Sequence, residues 1–302
     1  MGVVLTINGV ESNIGCSSVA LTLGEKINYL TKKSVCIIEL DNENPSFSYI
    51  LEHTPTKIKN LDTVFTYVID DTLSNEMKDK LKRIIESNSS TFKGTNISVI
   101  YGSRQKKQIE SSKINILLKL LKEMYDVIVI DYGKGALEQK IYDYTDVHLL
   151  ICQPTVRYID KLRRNRKTFI NKKTMLLFNN TSIKSSTINN IVKVYLDDVE
   201  VIGYLPSSNT LVSALANGLI NVDKGAYGQR LFDIASKVSK TLLLKIENKK
   251  RFSMFSKNSV KEDISIKNIK SRRIGDILIE MGKCTKQDID DALKIQAKSL
   301  KN

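Results

Sequence analysis

The sequence is poor in the residues that most often form metal sites, disulfide frameworks and proton-transfer centres. Its 302 residues include four cysteines and two histidines. No two cysteines form a Cys-x-x-Cys pair, which argues against a metal site or a disulfide framework and fits a reducing cytoplasm. The two histidines, His53 and His148, lie far apart in the sequence, so catalysis that depends on histidine has little support.

Long apolar runs are also absent. No stretch of 18 apolar residues occurs, so the sequence predicts no transmembrane helix. The N-terminus lacks the basic and then apolar arrangement of a signal peptide. We therefore expect a cytoplasmic protein, with peripheral association at the inner face of the membrane as the further option.

Positive charge is in excess, because 47 lysines and arginines outnumber 33 acidic residues and give a net charge of +14. Such an excess either selects an anionic partner or keeps a lysine-rich chain soluble, and both interpretations stay open. Residues 249–257 combine basic residues with Phe252, Met254 and Phe255, which is typical of segments that contact an anionic membrane surface. Nucleic acid is a less favoured partner, because no reading helix or aromatic stacking platform is evident.

Short apolar runs alternate with helical patterns up to residue 246. This alternation predicts an α/β fold with a doubly wound, mainly parallel sheet and helices on both faces. The predicted strands cover residues 3–7, 35–40, 97–101, 127–131, 147–152, 175–178 and 199–204. The predicted helices cover residues 17–31, 73–87, 109–124, 156–170, 186–196, 211–216 and 227–246. A basic linker over 247–272 and a small α-helical hairpin over 273–302 are expected to follow.

The first strand, loop and helix have the arrangement of a phosphate-binding loop. In such a loop, backbone N–H groups at the helix N-terminus hold phosphate, and the lysine of Gly-Lys-Ser/Thr reaches the outer phosphates. The corresponding triplet here is Gly15-Cys16-Ser17, and cysteine cannot supply that charge. Asn13, Gly15, Cys16, Ser17 and Ser18 are therefore candidate contacts for ATP or ADP. A purely architectural strand, loop and helix is the alternative.

Two aspartates follow predicted strands and belong with this loop. Asp41 follows the strand over 35–40, and Asp131 ends the strand over 127–131. Because the carboxyl ends of parallel strands meet at one edge of a sheet, both should lie near the loop. Ser17 and Asp131 would then hold Mg²⁺. Asp41 and Asp131 could instead be ordinary capping or turn residues, and they are the catalytic candidates only if the chain is an active enzyme.

Residues 1–246 resemble the MinD/ParA family of deviant Walker A ATPases. The family loop reads Lys-Gly-Gly-x-Gly-Lys-Ser/Thr, and residues 11–17 here read Glu-Ser-Asn-Ile-Gly-Cys-Ser. The resemblance implies that Asn179 contacts the nucleotide base, because Phe178-Asn179-Asn180 matches the place of such an asparagine. Gly-Cys-Ser-Ser followed by Val-Ala-x-x-Leu is most similar to the TadZ/CpaE branch, whose members localise Tad-type pili and help to assemble them.

Residues 273–296 resemble the N-terminal module of type II secretion and type IV pilus ATPases of the GspE/MshE kind. The match rests on Arg273, Gly275, Gly282 and Gln296, together with aliphatic residues between them. Some such modules bind cyclic di-GMP through two tandem copies, whereas this chain has one. A docking surface for a pilus or secretion protein is therefore favoured over a dinucleotide site.

Together these features predict a non-catalytic or very slow MinD/ParA-like scaffold that positions a pilus or secretion machine at the cytoplasmic membrane face. The loop without lysine and the secretion-type hairpin support this prediction independently. An active ATPase switch that takes a cation from elsewhere, such as a homodimer partner, is the first alternative. A DNA-partitioning module is the second.

Overall fold

The computed structural model describes residues 1–247 except 42, 53–59, 69–73, 93, 104–109 and 183–184, and beyond residue 247 it describes residue 287. The chain divides into two units, Met1–Lys249 and Lys250–Asn302. The first unit contains the sheet and its helices. The linker predicted over 247–272 and the hairpin predicted over 273–302 lie outside the described residues, apart from residues 247 and 287, and stay predictions.

Within the described residues, the chain forms eight strands and eleven helices. The strands are β1 (Val3–Gly9), β2 (Val35–Glu39), β3 (Ser90–Thr91), β4 (Ile97–Ile100), β5 (Val127–Lys134), β6 (Val147–Cys152), β7 (Thr174–Thr181) and β8 (Glu200–Pro206). The helices are α1 (Cys16–Thr31), α2 (Phe47–Glu52), α3 (Leu61–Tyr67), α4 (Asn75–Ser87), α5 (Ser111–Met124), α6 (Gln139–Tyr144), α7 (Val156–Arg164), α8 (Arg166–Phe169), α9 (Ser185–Tyr195), α10 (Asn209–Ala216) and α11 (Gly225–Thr241).

The strands form one sheet in the order β3-β4-β2-β5-β1-β6-β7-β8. Only the short β3 is antiparallel to its neighbour, while every other pair of these strands is parallel. The predicted doubly wound α/β fold is therefore confirmed. Parallel neighbours need helical crossovers, which cover both faces of the sheet. That cover explains why the central strands are mostly apolar, as in β6, where all six residues, His148 included, are buried.

Alternate residues of the central strands enter two apolar clusters, one on each face of the sheet. Leu5 of β1 belongs to the cluster that contains Leu23 of α1 and Leu231 of α11. Its neighbour Val4 belongs to the other cluster, with Leu117 of α5. This alternation is the two-residue period of a strand, and burial of apolar area on both faces is the main stabilising contribution.

Two predicted helices end earlier than expected. The helix predicted over 156–170 becomes α7 and α8, because Asn165 leaves the helical conformation and its side-chain amide donates to the Lys161 carbonyl at 2.8 Å. The helix predicted over 227–246 ends at Thr241. There Leu243 adopts a left-handed φ of 57°, and the Leu244 amide donates to the Ser239 carbonyl at 2.8 Å, which is a Schellman termination.

Some elements escape prediction. The helices α2, α3 and α6 have six or seven residues, too few to show a helical period. The strand β5 continues beyond its predicted end at residue 131 to Lys134. Its extension pairs with β1, since Gly135 donates its amide to the Gly9 carbonyl at 2.9 Å and Asn8 Nδ2 donates to the Gly135 carbonyl at 2.6 Å.

None of the described helices is both long enough and apolar enough to cross a bilayer.

Candidate functional site

The loop between β1 and α1 has the backbone form of an anion cradle. Gly15 caps α1 with a left-handed φ of 94°, and its carbonyl accepts the first helical bond from the Val19 amide at 3.0 Å. The amides of residues 16–18 therefore precede the helical hydrogen-bond ladder and have no helical carbonyl to bond. Such amides, together with the positive end of the helix dipole, favour a bound anion.

Asn179 of β7 supports the loop from behind. Its Nδ2 donates to the Ile14 carbonyl at 2.9 Å, and the side chain is buried. A Cβ at Gly15 would overlap this amide, so the close approach requires glycine in addition to the positive φ. Asn179 thus holds the loop, while its predicted contact with a nucleotide base stays a prediction.

Helix α7 fixes the beginning of the loop. The Tyr158 hydroxyl donates to the Ile151 carbonyl at 2.9 Å and accepts from the Val10 amide at 3.2 Å. Lys161 Nζ lies 2.7 Å from Glu11 Oε1. Glu11 stands where the family loop has its first lysine, so this ion pair offsets the negative charge that the substitution introduces. Neither contact could be predicted from the sequence, because both depend on the packing of α7.

Asp131 is fully buried beneath the loop. Its Oδ1 accepts the Gly133 amide at 3.0 Å, but its Oδ2 finds no hydrogen-bond donor among the described residues. Burial raises the pKa of Asp131 to about 7, the Ser17 hydroxyl and the Gly133 amide lower it in part, and the charges of Glu39 and Asp41 raise it. Ser17 therefore faces the carboxyl group, as the predicted metal pair requires.

Asp41 lies beside Asp131 at the edge of the sheet. Its Oδ1 accepts the amides of Glu43 and Asn44 at 3.0 and 2.9 Å, which is an Asx-type turn. Gly133 has a φ of 66°, and a Cβ there would overlap the Asp41 carboxyl group. The glycine therefore lets the turn that carries Asp41 pack directly against β5.

A cavity of about 300 Å³ opens between the loop and the ends of β2 and β5. It is lined by Glu11, Ser12, Asn13, Gly15, Cys16, Ser17, Ser18, Asp41, Asn44, Ser46, Ile50, Gly133 and Lys134. Six of the predicted site residues are in this lining, whereas Asp131 lies beneath it and Asn179 behind the loop. The predicted residues Arg273, Gly275, Gly282 and Gln296 lie outside the described residues.

Lys134 is the one cation among the described lining residues, and it was not among the predicted site residues. The available signal was the Gly-Lys-Gly triplet at 133–135, directly after the strand that ends in an acid.

Cys16, at the position of the usual lysine, supplies no charge. Burial raises the pKa of its thiol well above the ordinary value, and Asp131 and Asp41 raise it further, so the thiol is neutral.

The residues present fit a magnesium-bound phosphate group. The free Oδ2 of Asp131 and the nearby Ser17 hydroxyl are oxygen ligands of the kind that Mg²⁺ prefers. No group of three or more histidine, cysteine or acidic side chains within the described residues could hold a metal ion by itself. A cation here would therefore share its coordination with phosphate oxygens and water, which is the usual habit of Mg²⁺.

Comparison with solved structures places this site in a known fold. A ParA family ATPase from Chlorobium tepidum superposes with a TM-score of 0.63 at 13% identity, over 78% of this chain and 99% of that chain. A chain of the MinC:MinD cell division protein complex from Aquifex aeolicus gives a TM-score of 0.60 at 18% identity, over 83% and 99%. This is the fold of the ParA and MinD ATPases.

The septum site-determining protein MinD from Pyrococcus horikoshii, solved with Mg-ADP, has the same fold, with a TM-score of 0.56 at 15% identity over 80% of this chain and 98% of that chain. No family model matches the sequence, and no curated protein matches it either. The ParA/MinD fold agrees with the predicted resemblance of residues 1–246.

The buried carboxyl group of Asp131 gives a prediction for stability. Because its pKa is raised in the folded chain, Asp131 holds its proton more tightly there than in the unfolded chain. The stabilisation that results is fully present below pH 4 and is lost as the pH rises through about 7. Asp131→Asn should therefore stabilise the chain by about 1–3 kcal/mol at pH 8 and by much less at pH 4. Urea unfolding at both pH values, without nucleotide or Mg²⁺, measures the difference.

The matched control is Asp143→Asn on the exposed surface of α6, which should leave stability within about 0.5 kcal/mol at either pH. Equal effects of Asp131→Asn at pH 4 and pH 8 would contradict the burial of an ionisable carboxyl group.

Proposed function

We propose that the chain binds ATP and ADP together with Mg²⁺ in the cavity beside the loop and acts as a nucleotide-dependent switch of the ParA/MinD kind. The observation that carries this proposal is the fully buried carboxyl group of Asp131, which interacts with the Ser17 hydroxyl and whose Oδ2 has no hydrogen-bond donor among the described residues. An unpaired buried carboxylate is costly, and a bound cation would satisfy it.

Each group in the cavity has a role in this proposal. The amides of residues 16–18 hold phosphate oxygens, and the hydroxyl groups of Ser17 and Ser18 add polar contacts. Ser17 and Asp131 hold Mg²⁺, which neutralises phosphate charge when it is bound. Asp41 lines the same cavity from the end of β2, and its carboxylate would orient a water there.

Neighbouring structures support a switch that works with partners. The MinD from Pyrococcus horikoshii was solved with Mg-ADP, and the MinD from Aquifex aeolicus in a complex with MinC. By analogy, we propose that nucleotide binding in this chain controls association with another protein or with a second copy of the chain. A pilus or secretion component as that protein, and cyclic di-GMP as a ligand, rest on residues 273–302 and stay predictions from the sequence.

Turnover should be slow, because the loop carries no lysine. A charge-assisted contact to the outer phosphates contributes several kcal/mol in a site that excludes water. Neither Cys16 nor Glu11 supplies it. The proposal thus combines nucleotide binding with weak hydrolysis, and the pilus or secretion scaffold predicted from the sequence remains compatible with it.

The basic surface of α7 and α8 does not favour the DNA-partitioning alternative. Four of its cations form ion pairs, which are Lys161–Glu11, Arg163–Asp160, Arg164–Asp160 and Arg166–Asp198. Cations that are already paired with carboxylates have less positive potential to offer to phosphates of a duplex. Contact of residues 249–257 with an anionic membrane surface lies outside the described residues and stays a prediction.

Isothermal titration of the full chain with ATP tests the proposal. Binding should be measurable with Mg²⁺ and clearly weaker with EDTA. Ser17→Ala should lower the affinity for Mg-ATP about 10-fold, since it removes one metal-side ligand, and should change little in EDTA. Ser213→Ala, an exposed serine of α10, is the control and should bind as the unmodified chain does. Absence of ATP binding in the unmodified chain would refute the proposal.

A phosphate-release assay separates the slow switch from an active ATPase. We expect release below about one turnover per minute, far under the usual enzymatic range of 1–1000 per second. Asp41→Ala should abolish whatever turnover is present, while Asp143→Asn should not. Rapid, Asp41-dependent release would favour an active ATPase with a cation supplied from another source.

A further inference from the structure

Among the described residues that line the cavity, Lys134 is the one cation, while Glu11 and Asp41 are acidic. Phosphates entering such a lining meet more negative than positive charge. The loop itself contains no lysine or arginine that could balance the phosphate charge. Among the lining residues, compensation can come from Lys134 at the end of β5.

The backbone of Lys134 is held firmly in that position. Gly9 of β1 is its strand partner, and the next residue, Gly135, bonds to the Gly9 carbonyl and to Asn8 Nδ2. Asn8 is fully buried, and its Oδ1 lies 2.6 Å from Nε2 of the buried His148. Since the pKa of His148 is lowered to about 4 by burial, the imidazole is neutral at pH 7 and donates to Asn8. The hydrogen bonds from His148 through Asn8 to Gly135 therefore connect the interior of the sheet to the residue that follows Lys134.

The side chain of Lys134, by contrast, is free to change its partner. Its Nζ lies 3.7 Å from Glu43 Oε2, and the two side chains are 47% and 70% exposed. An exposed pair at this distance contributes little, so a phosphate group could replace the glutamate. The other lysine beside the loop, Lys161, has a shorter ion pair, at 2.7 Å to Glu11, and is not among the described residues that line the cavity.

We propose that Lys134 supplies the cation for the terminal phosphate of a bound nucleoside triphosphate, in place of the lysine that the loop lacks. This inference rests on the proposed function of the cavity. It places the phosphate-binding cation three residues after Asp131, on the same strand as the magnesium ligand. Binding of the triphosphate then exchanges the weak Lys134–Glu43 pair for a stronger charge-assisted contact.

Titration calorimetry of the full chain with ATP and AMP, each with Mg²⁺, tests the inference. Lys134→Met keeps the length of the side chain and removes its charge. It should weaken ATP binding about 10-fold and leave AMP binding within about 2-fold, because AMP lacks the outer phosphates. Lys134→Arg should retain ATP affinity within about 3-fold. The control is Lys140→Met on the exposed face of α6, which should change neither affinity.

Glu43→Gln gives a change in the opposite direction. It releases Lys134 from its exposed partner, so ATP affinity should rise about 2-fold or more. In the double variant Glu43→Gln/Lys134→Met this gain should shrink, since the lysine that benefits is no longer there. An equal gain in the presence and absence of Lys134 would mean that Glu43 acts on the phosphate directly and would count against the exchange of partners.

The outcomes separate this inference from the function on which it rests. If the unmodified chain does not bind ATP, the proposed function fails. If it binds ATP and Lys134→Met binds equally well, the nucleotide site stands and the role of Lys134 is overturned. Equal losses of ATP and AMP affinity would also overturn it, because the lysine would then not distinguish the terminal phosphate.

Discussion

The parallel pairing of β1 with β5 at the centre of the sheet is the constraint on which the site depends. Ile7 is opposite Asp131, and after a one-residue register shift between Ile7 and Asn8, Gly9 is opposite Lys134. The loop that follows β1 therefore begins next to the residues that follow the buried carboxyl group. A slip of one residue would turn Asp131 to the other face of the sheet and separate it from Ser17. The apolar residues on both faces make such a slip costly, so the core also fixes the geometry of the site.

Two buried carboxyl groups lie near this edge, and their different surroundings indicate different roles. Glu39 accepts the amides of Ser46 and Phe47 at the start of α2 and the amide of Gly102 after β4. It is a structural link between three elements, even though burial raises its pKa to about 7. Asp131 has a similarly raised pKa but leaves one oxygen unpaired. The oxygen without a hydrogen-bond donor, rather than the raised pKa, distinguishes a binding carboxyl group from a structural one.

The sequence was sufficient for the fold and for much of the site, because both depend on local patterns. Continuous apolar strands alternate with amphipathic helices, which defines a doubly wound sheet. A glycine before a helix identified the loop, and an acid at a strand end identified Asp131. Lys134 could not be found in this way, since its position depends on the pairing of β5 with Gly9 beyond the apolar run. Likewise, the bond of Asn179 to the Ile14 carbonyl follows only from the packing of β7 behind the loop.

The central claim is that helix amides and the Ser17–Asp131 pair hold a magnesium nucleotide without any lysine from the loop. A crystal structure of the full chain with Mg²⁺ and a non-hydrolysable ATP analogue tests it most directly. The account predicts phosphate oxygens against the amides of residues 16–18 and a metal ion between Ser17 and Asp131. An analogue bound away from the loop, or an empty cavity at saturating analogue with Asp131 still unpaired, would contradict it.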